Sequence, residues 1–309
     1  MNYVIQVEGL HKYYQKHFWT PRVSVLKGLD LKIEPGQVFG FLGPNGAGKT
    51  TTIKTMMGII KPSNGRVEIF GQDPWGTAPK QRTGFLPESP YFYEYLTGRE
   101  FLRFCGKLYD LKTSGLENKI SDLLALVKMT DSADRQMRKY SKGMLQRIGL
   151  AQSLISDPEL VVLDEPLTGL DPLGRKEFKD IILNLKSQGK TVFFSSHILP
   201  DAEMVCDRVA IINKGKLLKS GSLAELLNAQ IKSVEFTCRN IPQKTAEELK
   251  GMSHTAVFIE QQWMFGLKTE NSIAKALDLT VKNGGQVVSI VPQKESLEEY
   301  FSREVAKDE

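Results

Sequence analysis

An α/β layered domain followed by a smaller α+β domain is the fold class the sequence predicts, and three patterns predict it. Residues 1–220 alternate short apolar strands with helical stretches, as in V-F-G-F-L at 38–42, L-V-V-L at 160–163 and T-V-F-F-S at 191–195. That rhythm belongs to a largely parallel sheet with helices on its faces. V-I-Q-V-E at 4–8 and V-L-K-G-L-D-L-K-I at 25–33 alternate in and out instead, so an antiparallel β subdomain precedes the core. From residue 234 the order strand, helix, strand, strand, helix, strand gives a β-α-β-β-α-β, ferredoxin-like plan.

Taken in order, the core strand V-F-G-F-L runs into G-P-N-G-A-G-K-T at 43–50 and then the helical T-I-K-T-M-M-G-I-I. T-G-F-L at 83–86 is a short strand that meets Pro87 and delivers Glu88 to the start of a loop. Residues 88–157 contain no convincing strand and read as a helical subdomain, where Thr97 and Glu100 have the spacing of a capping box. After S-G-S-L-A-E-L-L at 220–227 the second domain supplies strands at 234–238, 255–259, 263–267 and 287–291. Helices are expected at 246–250, 272–283 and 296–301. The domains are expected at 1–225 and 231–309, with a boundary near 221–231.

The apolar stretches fall short of the roughly 20 residues that span a bilayer, and M-N-Y-V-I-Q-V-E-G-L lacks the basic start and long apolar run of a secretory signal. The chain therefore reads as soluble and cytoplasmic. Cys105, Cys206 and Cys238 form no C-x-x-C pair, which removes sequence support for a zinc site or a disulfide framework. The 41 Lys/Arg and 36 Asp/Glu give a formal charge of +5; residues 221–309 hold 10 and 13 of them, a net −3, so residues 1–220 carry +8. The first domain is thus the one that meets anions, be they ligand, lipid headgroup or nucleic acid.

G-P-N-G-A-G-K-T fits G-x-x-x-x-G-K-[ST] between a strand and a helix, the context in which that pattern binds phosphate. Gly43, Pro44, Asn45, Gly46, Ala47, Gly48, Lys49, Thr50 and Thr51 are the expected nucleotide-binding residues, the glycines letting backbone N–H groups turn inward. Lys49 is expected on the β- and γ-phosphates and the Thr50 hydroxyl on Mg²⁺. L-V-V-L-D-E at 160–165 ends a buried strand on two acids: Asp164 suits Mg²⁺, and Glu165 is placed to polarise a water as general base.

These motifs, with Y-S-K-G-M-L-Q-R at 140–147, D-E-P-L-T-G-L-D-P at 164–172 and S-S-H at 195–197, resemble the ATP-binding subunits of ATP-binding cassette (ABC) transporters over roughly residues 3–225. The resemblance implies a P-loop NTPase cassette that hydrolyses ATP with Mg²⁺ as cofactor. Two cassettes would sandwich two ATPs head to tail, as a homodimer or with a related second cassette. Ser141 and Gly143 of the signature would then face the partner's nucleotide, Asp171 would work across the seam, and His197 would contact the γ-phosphate and fix Glu165. Tyr14, in L-H-K-Y-Y-Q, matches the aromatic that stacks on adenine, with Tyr13 as the neighbouring alternative and H-F-W-T-P-R at 17–22 as an insertion. Separate transmembrane permease subunits are the implied partners, which would put the chain on the cytoplasmic face of the membrane, with no nucleic acid expected.

Four departures and alternatives stay open at this level. Lys142 stands for the first glycine of the signature's G-G pair and Met144 for its glutamine, a variant that resembles export-type cassettes with a C-terminal extension. Glu88 stands where the family usually has a glutamine that reaches the metal; it either ligates Mg²⁺ or merely caps a helix or faces water. The C-terminal domain either binds a small regulator, reinforces a dimer or packs on the cassette. The rival reading of the whole chain is a soluble ABC ATPase acting on ribosomes or nucleic acid, to which the +8 of residues 1–220 lends itself.

Overall fold

The computed structural model describes residues 3–15, 17, 19–227, 231–268 and 270–308. Phe18 of the expected insertion and residues 228–230 of the expected boundary lie outside the described residues. Two compact units divide the chain, Met1–Leu223 with Glu304–Glu309, and Ala224–Arg303.

The first unit opens with β1 (Ile5–Tyr14), β2 (Val23–Ile33), β3 (Val38–Leu42), α1 (Lys49–Met56), β4 (Asn64–Ile69), α2 (Thr77–Gln81) and β5 (Thr83–Leu86). Three helices follow, α3 (Gly98–Leu108), α4 (Thr113–Leu126, broken at Ser114 and Gly115) and α5 (Lys142–Ser153). The chain then returns to the core through β6 (Leu160–Leu163), α6 (Pro172–Ser187), β7 (Thr191–Ser196), α7 (Leu199–Val205), β8 (Arg208–Asn213), β9 (Lys216–Ser222) and α8 (Leu223–Leu226). The antiparallel sheet has the order β2-β1-β4, and the central sheet the order β5-β6-β7-β3-β8-β9, parallel except for β9. Buried on both faces, β3 and β6 are apolar throughout rather than alternating.

One core joins the two sheets. Ile5, Leu10, Leu26 and Leu29 of the antiparallel sheet pack with Phe39, Phe41 and Phe193 of the central one and with Ile53 of α1. The Phe39 and Phe193 rings stack at 5.9 Å between centroids, and each fully buried aromatic contributes on the order of 2–3 kcal/mol. The helical subdomain is anchored differently. Thr97 caps α3 by accepting the Glu100 N–H, while the Glu100 carboxylate accepts the Thr97 N–H, so the capping box forms as its spacing predicts. At the far side Arg147 of α5 reaches the Val127 carbonyl and the Glu177 carboxylate of α6, tying the subdomain to the core.

The second unit has β10 (Ile231–Arg239), α9 (Gln243–Met252), β11 (Thr255–Ile259), β12 (Gln262–Leu267), α10 (Glu270–Lys282) and β13 (Gln286–Lys294), followed by α11 (Leu297–Asp308), whose residues from Glu304 on are counted with the first unit. Its sheet is antiparallel with the order β11-β12-β10-β13, the ferredoxin-like arrangement. Phe236, Cys238, Phe265 and Leu267 on one sheet face pack with Leu249 of α9 and Ala276 of α10.

Close approach requires glycine at position 84 of β5. A β-carbon on Gly84 of β5 would stand 1.9 Å from the Ser153 carbonyl oxygen at the end of α5, a contact that backbone cannot yield without moving the helix. Gly84→Ala is expected to lower stability by about 1–3 kcal/mol. Gly251→Ala in α9, where a β-carbon meets nothing within 4 Å, is expected to hold stability or add up to about 1 kcal/mol. Urea midpoints of the two variants, measured against the parent chain, test the difference in sign.

Candidate nucleotide site at the strand ends

Parallel pairing sets the site. Leu42 of β3 lies opposite Ser196 of β7, so these strands end level, and Leu163 of β6 lies opposite Phe194, which brings Asp164 and Glu165 alongside Ser195 and Ser196 at the same edge. Ligand sites in open α/β sheets form outside the carboxyl ends of the strands for this reason. Here the edge receives the 43–50 loop from β3, Asp164 and Glu165 from β6, and Ser195, Ser196 and His197 from β7.

The loop is clamped from both sides. Gly43 donates its N–H to the Ser196 carbonyl at 3.2 Å, and Gly215, in the β8–β9 turn, donates to the Ala47 carbonyl at 3.0 Å. Gly48, with φ of 110°, caps α1 and packs against Leu26 of β2, where a β-carbon would come within 2.8 Å of that side chain. Only glycine combines that backbone with that clearance. No acid lies in the first turn of α1, so its N-terminal dipole faces the loop unopposed.

Lys49 is buried, and its ammonium donates to the carbonyls of Gly43 at 2.7 Å and Pro44 at 3.1 Å. The same nitrogen lies 3.1 Å from Glu165 Oε1. That oxygen is at ion-pair distance yet has no partner with hydrogen-bond geometry. The other carboxylate oxygen, Oε2, is 2.8 Å from His197 Nδ1 and accepts from the Thr168 hydroxyl at 3.4 Å. Glu165 holds a left-handed backbone, φ 49°, which costs a side-chain-bearing residue on the order of 1 kcal/mol. Its amide donates to the Ser195 hydroxyl at 2.9 Å, which helps to hold that conformation.

Asp164 is almost fully buried. Its Oδ1 accepts from Ser195 Oγ at 2.7 Å and from Thr50 Oγ1 at 3.4 Å, and its amide donates to the Leu86 carbonyl. Burial raises the Asp164 carboxyl above the usual range against the opposing pull of the Ser195 and Thr50 hydrogen bonds, and the negative charges of Glu88 and Glu165 push it further up. Glu88 itself is exposed, two residues beyond the end of β5. Among the described residues no group of three His, Cys, Asp or Glu could alone hold a metal ion. Thr50, Asp164 and Glu88 nevertheless offer hard oxygen donors, the chemistry that suits Mg²⁺ when phosphate and water complete the shell.

The remaining expected residues lie in other places. Ser141 caps α5, accepting the Met144 N–H at 3.3 Å, and a β-carbon on Gly143 would meet Leu170 at 3.3 Å. Asp171 caps α6 by accepting the Gly174 N–H at 2.8 Å, with Pro172 in the first helical turn. Residues 141–144 and 170–174 therefore make a cluster of their own. A register shift between Lys12 and Tyr13 sets Tyr13 opposite Ser24 and Tyr14 opposite Val23. Both rings are exposed, with the Arg22 guanidinium 4.6 Å over Tyr13 and the Lys12 ammonium 5.0 Å over Tyr14.

Two side chains of this edge, Ser195 and Thr168, were not singled out by sequence reasoning. Ser195 had one signal, its place beside the histidine in S-S-H. Thr168 had its place three residues beyond Glu165.

Comparison with known proteins follows the same lines. Residues 26–168 match a family model described as ABC transporter. The chain is 44% identical over 309 residues to an uncharacterized ABC transporter ATP-binding protein of Nostoc, covering 99% of this chain and 91% of that one. It is 40% identical over 225 residues to a fluoroquinolones export ATP-binding protein of Mycobacterium tuberculosis, covering 72% of each. A solved structure described as the ATP-binding subunit of an ABC transporter superposes with a TM-score of 0.65 at 29% identity, over 72% of this chain and 91% of its own.

Ser195→Ala would strand the buried Glu165 amide and remove a hydrogen bond from Asp164. A stability loss of about 1–3 kcal/mol is expected, read from denaturant unfolding of the nucleotide-free protein.

Proposed function

Because the chain belongs to the ATP-binding proteins of ABC transporters, we propose that it binds and hydrolyses MgATP through Lys49, Thr50, Asp164, Glu165 and His197, and drives export through separate transmembrane subunits. The observation that carries this reading is the convergence of Lys49 and His197 on the two oxygens of one buried carboxylate, at 3.1 and 2.8 Å. A lysine, a carboxylate and an imidazole so arranged at a phosphate-binding loop provide charge for the phosphates and a base for the attacking water.

In the mechanism, the N–H groups of the 43–50 loop and the Lys49 ammonium hold the β- and γ-phosphates. Moving the ammonium toward phosphate takes it off Glu165 Oε1, leaving that oxygen to accept the proton of the attacking water. The water oxygen bonds to the γ-phosphorus as the bond to the β–γ bridging oxygen breaks. His197 acts by orientation: its Nδ1 pins Oε2, which aims Oε1. Thr50 and Asp164, with Glu88 beside them, would hold Mg²⁺, which when bound neutralises phosphate charge.

A second cassette completes the site in this reading. Ser141 and Gly143 at the N-terminus of α5 would grip the nucleotide of a second copy, while Tyr14 stacks on adenine. Asp171, already fixed as the cap of α6, would set the shape of the loop at the seam. No helix among the described residues is long and apolar enough to cross a membrane. The permease would dock beyond Glu88, where a cleft of about 440 Å³ lined by Met57, Ile59, Phe85, Pro87 and Tyr109 lies in the same unit as exposed Tyr91, Tyr93 and Tyr95. Export rather than import is supported by the name of the mycobacterial relative.

Glu165→Gln is expected to lower steady-state ATP hydrolysis by about 10²–10⁴-fold while ATP binding persists and an ATP-dependent dimer accumulates; unchanged hydrolysis would remove Glu165 from the base role. Glu88→Gln is expected to shift the Mg²⁺ concentration at half-maximal rate if the carboxylate ligates the metal. An unaltered Mg²⁺ titration would leave Glu88 as a solvent-facing residue.

A further inference from the structure

In the sheet order β11-β12-β10-β13, strand β11 is an edge, and among the described residues no strand pairs with its outer side. Natural edge strands are usually protected by charge, proline, a bulge or shortness. T-A-V-F-I carries no charge and no proline, and its register with β12 is unbroken from Thr255 opposite Gly266 to Ile259 opposite Gln262. All five residues are exposed, Val257, Phe258 and Ile259 by 47, 55 and 54%.

The turn fixes which backbone groups face outward. Glu260 and Gln261 form a two-residue hairpin loop with φ of 49° and 63°, the left-handed pair of a type I′ turn. Such a turn is closed by a hydrogen-bonded pair, here Ile259 with Gln262. Alternation along an antiparallel ladder then directs the N–H and C=O of Thr255, Val257 and Ile259 toward β12, and those of Ala256 and Phe258 outward. The free edge therefore offers two donors and two acceptors, flanked by apolar side chains.

We propose that β11 pairs antiparallel with β11 of a second copy of this chain, about a two-fold axis at Val257, joining the two four-stranded sheets into one of eight strands. The segment is self-complementary in this register. Ala256 falls opposite Phe258 of the second copy, a small side chain against a large one, and their outward amides and carbonyls bond reciprocally. Thr255 falls opposite Ile259, and the two Val257 side chains meet on the axis as a non-hydrogen-bonded pair. Shifting the axis to Ala256 or Phe258 cuts the five-residue overlap of the two strands to three, and at Ala256 it sets Phe258 against His254, whose N–H is already donated to the Gly266 carbonyl of β12.

The contact is short, so it is weak alone and gains from anything else that holds two copies together. A head-to-tail cassette dimer would do so, yet the strand pairing needs no nucleotide. It is thereby separable from the catalytic reading: failure of the Glu165→Gln dimer would not touch it.

Cysteine cross-linking of the full-length, nucleotide-free protein tests the register. Facing Cα atoms in a non-hydrogen-bonded pair lie about 4.5 Å apart, within disulfide range. Val257→Cys is expected to give a disulfide-linked dimer under mild oxidation. Thr255→Cys is expected to give none, because its two copies would lie roughly 13 Å apart along the strands. The parent chain, whose Cys105 and Cys238 are buried, is the background control. In sedimentation without nucleotide, Val257→Lys is expected to weaken self-association by about tenfold or more, with ATP binding and far-UV circular dichroism unchanged. A Val257→Lys chain that associates like the parent, cross-linking by Thr255→Cys in place of Val257→Cys, or capture of a permease subunit by Val257→Cys instead of a second copy would each overturn the pairing.

Discussion

The Ser195 hydroxyl is the junction on which the catalytic edge depends. It donates to Asp164 Oδ1 at 2.7 Å and accepts the Glu165 amide at 2.9 Å, so one buried group satisfies two consecutive acids of β6 from the neighbouring strand β7. Without it, a strained glutamate backbone and a desolvated aspartate would both lack a fixed partner, and an unpaired buried polar group is costly. Because β6 and β7 pair in parallel register, the hydroxyl arrives at the height of the acids with no loop to adjust. Lys49 and His197 can converge on Glu165 only after its backbone has been set in this way.

The same edge connects to the helical subdomain through a backbone hydrogen bond and the side chain of one residue, Leu86. Asp164 donates its N–H to the Leu86 carbonyl, two residues before Glu88. Leu86 also packs on α5, where a β-carbon at Gly149 would stand 2.5 Å from its side chain. A displacement of α5 is thus felt at β5, and through the Leu86 carbonyl at Asp164. Glu88 sits at the end of this path, and its charge already pushes the Asp164 carboxyl up. A glutamine there would keep an oxygen donor without that charge, so the carboxylate makes the local electrostatics depend more steeply on a neutralising cation.

Legibility followed the range of the interactions involved. The phosphate loop and the Thr97–Glu100 cap were readable because each is a local device whose residues lie within a few positions of one another. The β-α-β-β-α-β order of the second unit was readable for a similar reason, since period-2 and period-3.6 patterns are local. α11 runs over Leu297–Asp308, about twice the expected S-L-E-E-Y-F, because its last turns alternate charge and small residues and carry little apolar signal. The break at Ser114 and Gly115 in α4 was not anticipated, and Gly115 there has a φ of 97°. Ser195 had only its place beside His197 to mark it, because its role exists only once residues 164 and 195, distant in sequence, are brought side by side by strand pairing.

The departures in the signature acquire a physical setting from the loop that faces them. Gly169 has φ of 79°, and a β-carbon on it would lie 2.8 Å from Cδ and Cε of Lys142 and 3.1 Å from its ammonium. The lysine that stands for the usual glycine therefore lays its alkyl stem across the next loop instead of projecting freely, a common way for lysine to cover surface while keeping its charge wet. Around it Gln146 donates to the Pro166 carbonyl, Gly143 abuts Leu170, and Asp171 caps α6 over a Gly174 that no side chain could replace without meeting its carboxylate at 2.6 Å. Residues 141–146 and 166–174 thus form one packed piece within a single chain. In a head-to-tail dimer, a change felt at Asp171 would reach Ser141 through direct contacts, and Lys142 is the side chain that spans the gap between them.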